Sequence, residues 1–138
     1  SAASDVYKRQ DRIKLMGPSL TLNARAAVAF GMAVHELATN AAKYGAFSTD
    51  DGSVSFKWLR VDDGENERVI FRWVESGGPV VEEARNVGFG SQLMTSTSTG
   101  SLHGELDVEW RPEGLCVEMS IPADELMELG QDVIYDIF

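Results

Sequence analysis

The run His35-Glu36-Leu37-Ala38-Thr39-Asn40-Ala41-Ala42-Lys43-Tyr44-Gly45 holds the side chains best suited to chemistry. At about 100° per residue on a helix, Glu36, Asn40 and Lys43 fall within an arc of roughly 60°. A carboxylate, an amide and an ammonium in such a row can handle a hydrated cation and phosphate oxygens. Ala26, Phe30, Ala33, Leu37, Ala41 and Tyr44 recur at helical spacing beside that arc and form an apolar stripe. Taken alone, the polar row reads more simply as a solvated helix face. A zinc-protease reading fails, because Thr39 rather than a second histidine stands four residues after His35.

Two further stretches carry candidate chemistry. In Trp73-Val74-Glu75-Ser76-Gly77-Gly78-Pro79 a carboxylate closes a strand pattern and two glycines follow. That is either a plain strand end or an acceptor for an exocyclic amine, with Gly77 allowing the backbone close to a flat base. Gly88-Phe89-Gly90 precedes a short helical pattern and could offer N–H groups to phosphates. A third glycine and a βαβ context are both missing, so a dinucleotide fingerprint is a poor match. A Walker-type glycine–lysine loop is absent as well.

The elements that must position these groups follow from periodicity. Arg12 to Met16 alternates as a short strand ending at Gly17-Pro18. Asn23 is placed to cap a helix running to about Tyr44, with Gly45 as a left-handed C-cap. Ser53–Val61 and Arg68–Glu75 read as a hairpin around Asp62 to Asn66, with Val54, Phe56 and Trp58 on one face and Val69, Phe71 and Trp73 on another. Ser76 to Val87 is irregular, and Ser91–Thr97 has the pattern of a short helix. Glu105–Arg111 and Leu115–Ile121 form a second hairpin through Pro112-Glu113-Gly114. Ala123–Leu129 has the pattern of a short terminal helix. The order implies one mixed sheet with helices on one face, an α+β fold.

Composition bounds the rest. The chain has 138 residues, 43% hydrophobic and 25% charged, which suits a single soluble domain. A net charge of -10 argues against a groove for long nucleic acid and against direct contact with anionic membranes. It leaves room for a nucleotide, since one lysine, backbone N–H groups and a Mg²⁺ can neutralise a few phosphates. The single cysteine, Cys116, forms no internal disulfide, which fits a cytoplasmic setting. No run approaches the ~20 apolar residues of a membrane helix.

Together, His35 to Ser48, Trp73 to Pro79 and Gly88 to Leu93 resemble the nucleotide-binding boxes of the ATPase domain of sensor histidine kinases, in the HWE/HisKA_2 branch. His35 before the glutamate and the Trp73-Val74-Glu75 triplet match the markers of that branch. The likeness runs from about Arg12 to Pro122. It divides the chain into a lead-in over 1–11, an ATPase domain over 12–122, and a tail or short helix over 123–138.

The resemblance implies a two-layer α/β sandwich of the Bergerat type, with ATP between the long helix and a lid formed by Ser76 to Val87. By position, Asn40 would coordinate Mg²⁺, Glu36 would polarise the attacking group, and Lys43, with Tyr44, would contact the nucleotide. Glu75 would take the adenine amine in place of the usual aspartate. Gly77, Gly88, Phe89 and Gly90 would shape the pocket. Val80 stands where a second lid proline is common, and Leu102-His103-Gly104 replaces a more usual Leu-Gly-Gly. His103 reads as a turn residue. Neither His35 nor His103 sits in a phosphoacceptor context. The implied partners are therefore a histidine-bearing dimerisation domain outside these residues and a response regulator, with dimerisation expected of the longer kinase. A stand-alone serine/threonine kinase of the same fold and a non-catalytic nucleotide-binding module are the alternatives.

Overall fold

The computed structural model describes residues 12–80, 102–127 and 135–136. Strand β1 (Ile13–Met16) and the short β2 (Thr21–Leu22) lead into helix α1 (Ala24–Lys43). A 3₁₀ turn over Ala46–Ser48 precedes β3 (Ser53–Asp62) and β4 (Glu67–Ser76). Strands β5 (Glu105–Arg111) and β6 (Gly114–Pro122), the single turn α2 (Ala123–Leu126) and the short β7 (Tyr135–Asp136) complete the order. The long strands depart from the boundaries expected from alternation by one residue at most at either end.

The five-stranded sheet runs β1-β3-β4-β6-β5. Strand β1 lies parallel to β3, while the other pairs are antiparallel. The sheet is therefore mixed, and it belongs to an α+β fold. Thr21 and Leu22 pair with Asp136 and Tyr135 in a separate two-stranded ladder.

Helix α1 forms because its residues are mostly good helix formers and its start is well capped. The Asn23 side chain accepts from the Ala26 N–H at 2.8 Å, as the cap position predicts. Asn23 is also buried, and its amide donates to the Glu125 carbonyl at 3.1 Å. Its backbone N–H donates to the Leu126 carbonyl at 2.7 Å. One residue thus starts the helix and ties α2 to it, and Leu126 is fully buried in the same core.

The apolar face of α1 lies on the sheet. Ala26, Phe30, Ala33, Leu37 and Ala41 are buried, and the Phe30 ring stands 4.5 Å from Phe71 and 6.2 Å from Phe56. Beneath them, Phe56 faces Trp73 and Trp58 faces Phe71 across the β3–β4 ladder. These large aromatics dominate the core. Tyr44 is an exception to the expected stripe. The helix ends at Lys43, Tyr44 adopts φ −130°, and its ring is 55% exposed.

The C-cap expectation for Gly45 also needs correcting. Its φ is −115°, outside the left-handed region, and its N–H donates to the Asn40 and Ala41 carbonyls at 3.1 and 3.2 Å. Glycine is required there for a different reason, which belongs to the site.

Candidate nucleotide site at the end of the long helix

Strand β4 presents Val69, Phe71, Trp73 and Glu75 in succession on its buried face. Period-two alternation forces this, so a carboxylate enters the position where a fourth apolar side chain would otherwise sit. Glu75 is 4% exposed. Its Oε2 accepts from the Trp73 indole N–H at 2.9 Å, and its Oε1 accepts from the Ala46 N–H at 2.9 Å. No cation pairs with it among the described residues. Burial raises its pKa from the ordinary glutamate value, opposed by the Ala46 and Trp73 hydrogen bonds. An acid held in the core is costly, and groups perturbed in this way cluster at functional sites.

Gly45 makes this arrangement possible. A Cβ on it would lie 2.1 Å from Glu75 Oε1, so any side chain would displace the carboxylate. On the other side of Glu75, Gly77 adopts φ +77°, a conformation glycine takes without strain. A Cβ on Gly77 would stand 2.8 Å from the Asp51 carbonyl. The close approach that the sequence suggests for a base is made in this structure to the Asp51–Gly52 backbone. The Thr49 hydroxyl donates to the Gly77 carbonyl at 2.9 Å and locks the two turns together.

Beyond the C-terminal end of α1 the chain passes Gly45 and Ala46, which lie against this carboxylate. Glu36 and Asn40 are half-buried on α1, and Lys43 is exposed in its last turn. Among the described residues, no hydrogen bond or ion pair engages the side chains of these three. Lys43 also suits the negative end of the helix dipole, a purely structural benefit. Ala46, three residues beyond Lys43, is the donor to Glu75. The 45–49 turn and the Trp73–Glu75 pair therefore meet beyond the C-terminal end of α1, the helix whose last two turns carry Glu36, Asn40 and Lys43. His35 sits exposed on α1, and Tyr44 projects outward beyond it. Gly88, Phe89, Gly90 and most of the expected lid lie outside the described residues.

One contributor was hidden in the sequence. Arg12, just before β1, donates from Nε to the Gly52 carbonyl at 2.8 Å and from Nη2 to the carbonyls of Ala46, at 3.0 Å, and Thr49. Its guanidinium lies 5.3 Å from the centre of the Phe47 ring. A lone arginine opening a strand pattern carries no signal of contacts with a loop 34 to 40 residues away.

Similarity to known proteins decides the family. Over 111 residues the chain is 40% identical to the blue-light-activated histidine kinase of Brucella anthropi, and over 112 residues 38% identical to that of Brucella ovis. Over about four-fifths of its length the chain is therefore homologous to one segment of these histidine kinases. It spans 23% of the length of each of those relatives, while they match 80% and 81% of it. No protein-family model matches the chain. The histidine kinase domain of the Erythrobacter litoralis blue-light-activated kinase EL346 superposes with a TM-score of 0.55 at 24% identity. That likeness covers 90% of this chain and 61% of the other. The catalytic domain of histidine kinase ThkA gives 0.54 at 16% identity, covering 90% and 88%. These two likenesses speak for the fold. His35 and Trp73-Val74-Glu75 are consistent with an HWE-type histidine kinase ATPase domain.

Proposed function

We propose that this domain binds ATP with Mg²⁺ and delivers the γ-phosphoryl group to a histidine on a dimerisation domain outside these residues. The observation that carries the reading is the buried Glu75 carboxylate, which pairs with no cation among the described residues and is bonded to Ala46, just beyond the helix that carries Glu36, Asn40 and Lys43. Each Glu75 oxygen takes one internal hydrogen bond, and an ionised carboxylate oxygen can accept another. An exocyclic adenine amine is a donor of the required kind, whereas guanine presents a carbonyl at the same position and would leave the acid facing an acceptor.

The donor set also suits a nucleotide-borne cation. Among the described residues no three His, Cys, Asp or Glu side chains gather to hold a metal. Mg²⁺ is commonly held by few protein groups together with phosphates and waters, and the Asn40 amide oxygen is the group placed to contribute. Bound there, the ion would neutralise phosphate charge. Lys43 adds a mobile positive charge for phosphate oxygens. Glu36, one turn before Asn40, is placed to accept a proton from, or polarise, the attacking imidazole. Positioning and charge neutralisation are most of what phosphoryl transfer requires.

The test is transfer itself. Incubating the chain with γ-labelled ATP, Mg²⁺ and the histidine-bearing dimerisation domain of the same kinase should label a histidine in an acid-labile, base-stable linkage. Label on serine or threonine would replace the histidine reading with that of a serine/threonine kinase.

A further inference from the structure

We propose that Arg12 is a positioning residue for purine recognition, acting through the 46–52 loop on the Glu75 carboxylate. This rests on the reading of Glu75 as the adenine acceptor. The Ala46 main chain is held from both ends: its N–H donates to Glu75 Oε1, and its carbonyl accepts from Arg12 Nη2. The same guanidinium also takes the carbonyls of Thr49 and Gly52. Three carbonyls converging on one planar cation form a clamp that suits the forked donors of arginine, and a lysine ammonium lacks that fork. Phe47 covers the guanidinium face and limits its freedom to swing.

The physical consequence concerns orientation. Glu75 Oε2 is fixed by a rigid indole in the strand, but Oε1 is fixed by a backbone N–H in a loop. The loop is tied to the sheet at two places, through Thr49 to the Gly77 carbonyl and through Arg12, whose own carbonyl accepts from the Val54 N–H at 2.8 Å. Of the two, Arg12 alone binds the Ala46 carbonyl with charge, so without the clamp Ala46 is held less tightly and the carboxylate gains freedom to rotate about its remaining hydrogen bond. The lone pairs left for a ligand would then no longer point in one direction. The loss should fall on adenine selectivity rather than on phosphate binding, because Asn40 and Lys43 lie on α1 and outside the clamp.

The experiment measures ATP and GTP dissociation constants for the 138-residue chain and for Arg12→Met, Arg12→Lys, Glu75→Ala and the Arg12→Met/Glu75→Ala double variant. Arg12→Met should reduce the ATP-over-GTP preference about tenfold, as expected for a lost charge-assisted contact. Arg12→Lys should recover only part of it. In the Glu75→Ala background, Arg12→Met should leave the preference where it is, since the two act in series. If Glu75→Ala removes the preference while both Arg12 variants keep the parental value, the role of Arg12 is overturned and that of Glu75 stands. If Glu75→Ala leaves the preference intact, the adenine reading fails and this proposal fails with it. Full recovery by Arg12→Lys overturns the clamp, because a single charge would then suffice. Should Arg12→Met not fold, the Arg12→Lys and Glu75→Ala pair decides by the same criteria.

Discussion

The Trp73 indole donates its N–H to Glu75 Oε2 at 2.9 Å, two residues along one strand and on the same buried face. The pairing turns a carboxylate in the core from a fault into a fixed acceptor. It also explains why tryptophan, rather than phenylalanine, suits the position: the ring fills the core beside Phe56, 5.6 Å away, while its N–H serves the acid.

Replacing Trp73 with Phe should therefore cost more than the packing change. Leaving a buried acceptor unpaired costs about 1–3 kcal/mol. Urea melts of Trp73→Phe, Glu75→Ala and the double variant isolate the pair. A coupling of that size is expected, and strictly additive losses would show that the hydrogen bond contributes nothing.

Glu75 should make stability depend on pH in a definite direction. Its folded pKa is raised above the ordinary value of 4.5 by burial. The folded state therefore holds the proton more tightly than the unfolded chain. The stabilisation is fully present below the unfolded pKa and is lost as pH rises through the folded one. Glu75→Gln has no such titration. The stability of the parent minus that of Glu75→Gln should fall as pH is raised from about 4.5 toward neutrality, and a value that stays flat or rises would contradict the burial argument. The lowered pKa values of exposed Asp63 and Glu109 and of half-buried Glu67 act in the opposite sense but are common to both proteins.

Gly45→Ala tests the close approach beside the carboxylate. Its new methyl group would lie 2.1 Å from Glu75 Oε1, so the acid must move. We expect a loss of about 1–3 kcal/mol from overpacking, together with weaker ATP binding. A variant as stable and as tight-binding as the parent would mean that the turn relaxes without disturbing Glu75.

On the helix edge, the two polar roles separate by measurement. Asn40→Ala should weaken ATP binding about tenfold with Mg²⁺ present and little in EDTA. Glu36→Gln should bind ATP normally yet transfer phosphoryl about 10²–10⁴-fold more slowly to the partner histidine. Equal Mg²⁺ dependence in Asn40→Ala, or normal transfer by Glu36→Gln, would remove the role in question.

Much of the fold was legible because alternation and helical spacing are local. Asn23, the β3–β4 hairpin and the β5–β6 hairpin announce themselves in a few residues each. The parallel pairing of β1 with β3 and the pairing of β2 with β7 join segments far apart, and no local pattern encodes them. The same divide runs through the site. Glu36, Asn40, Lys43 and Glu75 could be singled out by type and spacing. That Glu75 is held by Trp73 could be suspected from their shared face, but its second donor, Ala46, is a backbone N–H with no sequence signature. Gly45 was read as a helix terminator because glycine is common there; the carboxylate it makes room for is 30 positions away and only folding brings it near. Arg12 is the extreme case, since its polar side-chain partners among the described residues are all main-chain carbonyls.

If Glu75 and the α1 edge form one ATP site, as proposed, calorimetric titration of Mg-ATP into the 138-residue chain and into its Glu75→Ala variant will show it. Saturable one-to-one binding by the parent, weaker binding of GTP, and loss of that preference in Glu75→Ala are expected. Absence of saturable ATP binding by the folded parent, or an unchanged ATP-over-GTP preference in the variant, would contradict the proposal.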